Sequence, residues 1–261
     1  MKTADLADEL KRCGPNFVVR GWRIEIEKRL YAAAHDLMKM KITEMPDPVD
    51  LAIPEGSAAK EHEGLPLRSS TPAGWGRAVL ADPINLLIDH AFLEKKAANN
   101  AMELLTRWPG DWLPGWVEAM TSVARDETAH LAQATRMLVR RGGRLSRVHK
   151  NPYANELRLL VRKGNRAELL DRLFVSALIE ARSCERFGIL GETEVTGDDE
   201  LAAFYRALHS SELAHYKVFL KLARKIAPKE EVDVRWGEML DAEARILARQ
   251  EPGPRIHSGW V

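Results

Sequence analysis

Apolar residues recur every third or fourth position along most of this chain, the spacing that gathers them on one face of an α-helix, and few stretches alternate as strands do. The first such segment, from Phe17 to about Met45, sets Trp22, Ile26, Leu30, Ala33, Ala34, Leu37 and Met38 on one stripe. A passage broken by Pro46, Pro48, Pro54, Gly56, Gly64 and Pro66 follows and reads as a connecting arm. Beyond Leu80 the pattern predicts four long helices, over about 83–108, 114–141, 166–190 and 199–226. Asp82-Pro83 opens the first as N-cap and first-turn proline, and Gly142-Gly143 stops the second. Shorter helices are expected near 154–162 and 235–250, before an irregular tail from Pro252.

The expected organisation is all-α: an N-terminal helix and arm over 1–64, a four-helix bundle over 65–230, and a C-terminal helix and tail over 231–261 packed on the bundle. Long helices of this kind, with one longer connection crossing between the second and third, suit a four-helix bundle.

Two of these helices carry the tetrad Glu-x-x-His: Glu127–His130 and Glu212–His215. Residues three apart share a helix face, so each tetrad points a carboxylate and an imidazole the same way. One tetrad is weak evidence, and a lone Glu or His on a helix is usually a solvated or core group. Here each tetrad is preceded by a glutamate in an apolar helical context, Glu94 and Glu180, at separations of 33 and 32 residues. The repeat Glu, then Glu-x-x-His, is the ligand set of di-iron carboxylate bundles. Four carboxylates converging in an apolar interior would repel one another without cations to compensate.

Rival and supporting groups lie close by. Glu185, five residues after Glu180, is the alternative ligand, but only Glu180 preserves the repeat. His90, one turn before Glu94, and Asp89 beside it are further rivals, of which His90 reads as a supporting or capping group. Asp126 precedes Glu127 and suits the second ring nitrogen of a metal-bound histidine in its half; Ser211 holds the corresponding place in the other. Manganese or a mixed pair fits the same ligands as iron.

Composition narrows the class. Over 261 residues, 45% hydrophobic and 30% charged content excludes global disorder. Two cysteines, Cys13 and Cys184, make neither a metal spacing nor a disulfide framework, and Cys184 reads as a small buried hydrophobe. The acidic start lacks the apolar core of a signal peptide, and no window nears the roughly 18 apolar residues of a membrane span. The expectation is a cytoplasmic protein without a membrane partner, a monomer or small homo-oligomer.

The segments 86–98, 124–130, Ile179-Glu180-Ala181-Arg182-Ser183-Cys184-Glu185-Arg186-Phe187 and Ser211-Glu212-Leu213-Ala214-His215-Tyr216 resemble the tRNA 2-methylthio-N6-isopentenyladenosine hydroxylase family, MiaE. The resemblance covers about Leu67 to Ile226, and the first 64 or so residues lie outside it. It implies a ferritin-like bundle and a di-iron monooxygenase that hydroxylates the isopentenyl group of the modified adenosine at tRNA position 37. Glu94, Glu127, His130, Glu180, Glu212 and His215 would then hold two iron ions, with Glu127 and Glu212 bridging. O2 would be the co-substrate. Electrons would come from an external donor, a reductase or ferredoxin, since the chain shows no flavin or nicotinamide fingerprint.

An anticodon-loop partner gives meaning to one charge asymmetry. Between Arg136 and Arg172 eleven basic residues face three acidic ones, a net of +8 in a chain of net +1. Arg140, Arg141, Arg144, Arg147, Lys150, Arg162 and Lys163 are the candidate phosphate contacts, and His149 and Tyr153 the candidates to stack on unpaired bases. Such inter-helix segments are also often basic merely because they are solvated. Two readings remain beside the tRNA hydroxylase: a related oxygenase or oxidase acting on another molecule, and an iron-storing bundle without oxygenase activity.

Overall fold

The computed structural model describes residues 64–72, 74–109 and 113–260. Every regular element among them is helical: α1 (Gly74–Val79), α2 (Pro83–Arg107), α3 (Trp116–Arg140), α4 (Pro152–Arg158), α5 (Asn165–Leu190), α6 (Thr193–Thr196), α7 (Asp199–Ile226) and α8 (Lys229–Ala248). The helix expected between Phe17 and Met45 lies outside the described residues.

Local chemistry sets the helix ends. The carboxylate of Asp82 accepts from the Asn85 N–H, that of Asp198 from Leu201, and the Asn151 side chain from Ala154, each satisfying an orphan donor of a first turn. Helix α3 ends where Gly142 takes φ +80° and Gly143 N–H donates back to Leu138 C=O. A Cβ on Gly143 would lie 2.2 Å from the Leu138 side chain, so the close return of the chain needs a glycine there.

Helix α2 packs along α3 and α5 along α7, and the two pairs close into the bundle. The connection from α3 to α5 carries α4, and α8 packs across α4, α5 and α7. Helix α5 is buried along nearly its whole length. Two apolar cores fill the bundle. One gathers Leu104, Trp116, Met120, Phe174, Phe219 and Met239; the other gathers Trp75, Leu86, Leu138, Phe187, Tyr205 and Ile256. Between them, halfway along the four long helices, lies a layer of buried polar side chains.

Three features depart from the sequence reading. Helix α8 begins at Lys229, because Pro228 stands at its N-cap and Glu230 and Glu231 follow favourably in the first turn. The short helices α1 and α6 are too brief to show a period. The tail is not loose: Ile256, His257 and Ser258 are buried.

Candidate metal centre

The repeat in the sequence becomes a cluster because each helix pair delivers one half of it. Helix α2 supplies Glu94 and α3 supplies Glu127 and His130; α5 supplies Glu180 and α7 supplies Glu212 and His215. All six are buried. Potential ligand atoms of Glu94, Glu127, His130 and Glu212 lie within 4.8 Å of one another, and so do those of Glu127, Glu180, Glu212 and His215. Glu127 and Glu212 belong to both groups.

The detail fits cations. His130 Nδ1 lies 3.7 Å from Glu94 Oε2 and 3.6 Å from both Glu127 Oε2 and Glu212 Oε1. His215 Nδ1 lies 2.7 Å from Glu127 Oε1, yet neither atom is directed for a hydrogen bond. Both Glu127 oxygens, Glu212 Oε1 and the two Nδ1 atoms are buried without a hydrogen-bond partner. Buried polar atoms are rarely left so, and five of them facing a common centre describe a pair of cation sites. Burial, reinforced by the neighbouring Glu127 and Glu212 charges, pushes the Glu94 and Glu180 carboxyls well above the usual range. Burial acts the same way on Glu127, but the imidazoles of His130 and His215 outweigh it and hold that carboxyl low. Burial opposes the charge on His215; Glu127 and Glu212 overcome it and push the ring up to about 10. Carboxylate and imidazole together suit a divalent first-row transition metal.

The groups around the cluster resolve the alternatives left open by sequence. Glu185 faces away from it: its oxygens accept from Thr71 N–H at 2.8 Å, Thr71 Oγ1 at 2.6 Å and Arg182 Nη1 at 2.5 Å. His90 is fully buried, and its Nε2 lies 2.6 Å from Glu94 Oε1. Burial, with His130 next, lowers the His90 ring to about 3, so it is neutral. Asp126 was expected to support its own half, but its Oδ2 lies 3.6 Å from Nε2 of His215, on α7. The helix pairs face each other, so a residue next to Glu127 in sequence addresses the opposite half. Ser211 is half-buried one residue before Glu212.

The most distinctive run in the sequence, from Glu180 to Phe187, sends only Glu180 into the cluster. Arg182, wholly buried, makes two 2.9 Å bonds to Glu243 of α8 and one to Glu185. Tyr153 Oη donates to the same Glu243 at 2.9 Å. Ser183 Oγ lies 3.1 Å from His257 Nε2, and Cys184 Sγ lies 3.5 Å from the His209 carbonyl. The Arg186 guanidinium bonds the Ile256 carbonyl and stands 4.4 Å over Trp75. This run ties α8 and the tail to the bundle.

Asp89, a rival ligand by sequence, is engaged elsewhere: one oxygen lies 2.7 Å from His149 Nε2 and the other accepts from the Ile256 N–H at 2.8 Å. Its acidic neighbourhood with His90 on an otherwise apolar face was the available signal. His257 and Glu243 carried none, because their partners are distant in sequence.

The basic segment is partly consumed by the fold. Arg141 grips Asp198 through two bonds, Arg140 pairs with Glu200 at 2.7 Å, and Arg162 makes three bonds to the buried Asp171. Arg144, Arg147, Lys150 and Lys163 are exposed. The stacking role expected of Tyr153 and His149 is overturned. Tyr153 is buried against His257, and His149 lies flat on Phe92 with 4.9 Å between ring centres.

A small cavity of about 60 Å³ opens between α2, α4 and α5 and reaches Glu180. No helix of the described residues is long and apolar enough to cross a membrane.

An all-helical bundle with this carboxylate and imidazole cluster belongs to the ferritin-like class that carries paired metal ions. Residues 61–258 match the family described as tRNA-(MS[2]IO[6]A)-hydroxylase (MiaE), and the chain belongs to that family. A tRNA 2-(methylsulfanyl)-N(6)-isopentenyladenosine(37) hydroxylase of Pseudomonas putida is 39% identical over 190 residues, which cover 72% of this chain and 90% of that one. The protein of the same description from Salmonella typhimurium is 29% identical over 171 residues, 66% of this chain and 61% of its own length. Among solved structures, a protein from Synechococcus described as having aldehyde deformylating oxygenase activity superposes with a TM-score of 0.69. It is 33% identical, with 74% of this chain and 96% of that chain covered.

Proposed function

We propose that this protein hydroxylates the isopentenyl group of 2-methylthio-N6-isopentenyladenosine at position 37 of tRNA, in the cytoplasm. The observation that carries the reading is the pair of overlapping buried groups, Glu94, Glu127, His130, Glu212 and Glu127, Glu180, Glu212, His215, in a chain of this family. Two iron ions would be held there, one by Glu94 and His130, the other by Glu180 and His215, with Glu127 and Glu212 shared. Such a pair supplies the redox chemistry by which O2 oxygenates an unactivated C–H bond. The balance requires O2, two electrons and two protons, giving the alcohol and one water. An external reductase or ferredoxin supplies the electrons.

The residues of the chain do the rest. With Glu94 ionised on a metal, neutral His90 would donate to it and fix that carboxylate; Asp126 lies beside the outer nitrogen of His215 and restrains its ring. Apolar cores above and below the polar layer keep bulk water out. The modified adenosine must leave its stack to approach a site this deep.

The test is incubation of the iron-loaded protein with O2, a reductant and isopentenylated tRNA, followed by mass spectrometry of the digested nucleosides. One added oxygen on the modified adenosine is the expected result. The Synechococcus likeness gives the second reading, an oxygenase acting on an aldehyde. Turnover of aldehydes with none of the tRNA would establish that reading instead.

A further inference from the structure

The cavity that reaches Glu180 has the build of a substrate entrance. Its depth is lined by Leu93, Ala97, Val175 and Ile179, and its rim by Lys96, Asn100, Asn155 and Arg158. Exposure falls from Arg158 and Asn155 at the surface to Val175 and Glu180 inside, so the passage runs from a polar mouth through an apolar throat to the cluster. A water needs about 10–15 Å³ of such space, so roughly four to six waters fit in the volume. That matches a branched five-carbon group and is too little for a purine.

The mouth is held in place. Lys96 Nζ lies 2.9 Å from His149 Nδ1, and His149 is itself fixed by Asp89 and the Phe92 ring. Asn100 Nδ2 donates to Ser176 Oγ at 2.9 Å and ties α2 to α5 across the throat. Lys96 and Arg158 both line this opening, so two cations converge on it. An anion placed between them relieves their repulsion.

We propose that this cavity admits the isopentenyl branch while the adenine stays at its mouth, and that Arg158 and Lys96 hold a backbone phosphate beside the modified nucleotide. The inference rests on the function proposed above. It makes Arg158 and Lys96 positioning residues that select a nucleotide within an RNA strand.

The experiment compares wild type, Arg158→Gln, Arg158→Lys and Ala97→Phe on an isopentenylated anticodon stem-loop RNA. Arg158 is exposed on α4, so its replacement leaves the core intact. R158Q is expected to raise KM about tenfold with kcat changed less than about threefold, and R158K to restore most of the loss. Fluorescence anisotropy on the metal-free protein is expected to show R158Q binding the RNA about tenfold more weakly, with the salt slope reduced by about one. A97F fills the throat; it is expected to lose turnover while retaining RNA affinity and iron content. If wild type hydroxylates the RNA but R158Q matches it in KM and salt slope, or A97F turns over normally, the entrance assignment is wrong. If wild type leaves the RNA unchanged, the functional reading fails first and the entrance with it.

Discussion

His90 Nε2 sits 2.6 Å from Glu94 Oε1, a fully buried imidazole bonded to a carboxylate of the cluster one helical turn further on. The ring is itself wedged against Phe187 and Tyr205, with centroids 4.8 and 5.5 Å away, so it cannot swing without disturbing the core that holds Trp75 and Leu86. His90→Ala removes both the bond and the wedge. Partners of this kind contribute about 10–100-fold to metal affinity, and an anaerobic ferrous titration is expected to show a loss of that size. Unchanged affinity would mean that His90 only fills space.

Glu127 and Glu212 stand in both groups, whereas Glu94 and Glu180 each stand in one. Glu127→Ala is therefore expected to lose both ions, and Glu94→Ala to retain one. Elemental analysis and Mössbauer spectra of purified protein separate the outcomes. Equal losses in the two variants would contradict the shared role.

Chelation is expected to lower Tm, since the metal-free cluster leaves buried acceptors without compensation. Calorimetry of the same preparation with and without chelator checks this. A Tm indifferent to metal would show the layer to be satisfied without ions.

The buried pair Arg182 and Glu243 makes a different prediction. Arg182→Met strands a buried carboxylate and is expected to cost about 3–5 kcal/mol, whereas the double change Arg182→Met, Glu243→Leu restores much of that. Urea denaturation of wild type, both single variants and the double variant measures it. Additive losses would show that the two charges do not act as a pair.

Burial, with Arg186 and Arg182 next, holds the His257 ring well below its ordinary pKa. The unfolded chain therefore takes up a proton near pH 6.5 that the folded chain refuses. Stability is full above that pH and falls as the solution is acidified, by up to about 1.4 kcal/mol per pH unit for this one group. His257→Gln removes the group, so its stability curve between about pH 6.5 and 5 is expected to be shallower than that of the wild type.

The four long helices and their order were legible because periodicity, the Asp82 cap and the Gly142-Gly143 stop all act within a turn or two. The six cluster residues were legible because a repeat of 33 and 32 residues maps onto a pair of helix pairs. What the sequence hid depends on which surfaces meet. Asp126 reaches across to His215, Arg141 and Arg162 find Asp198 and Asp171, and Tyr153 turns inward to Glu243. The start of α8 was missed because Lys229 to Val234 expose mostly charged side chains, leaving little apolar stripe to read.

Asp89 receives the backbone of Ile256 and the ring of His149, and the next residue in the chain is His90. Translation emits residues 256–258 only after all four bundle helices, so a nascent chain can collapse its helices while this latch is still open. The tail therefore latches last, onto a bundle whose helices have already met.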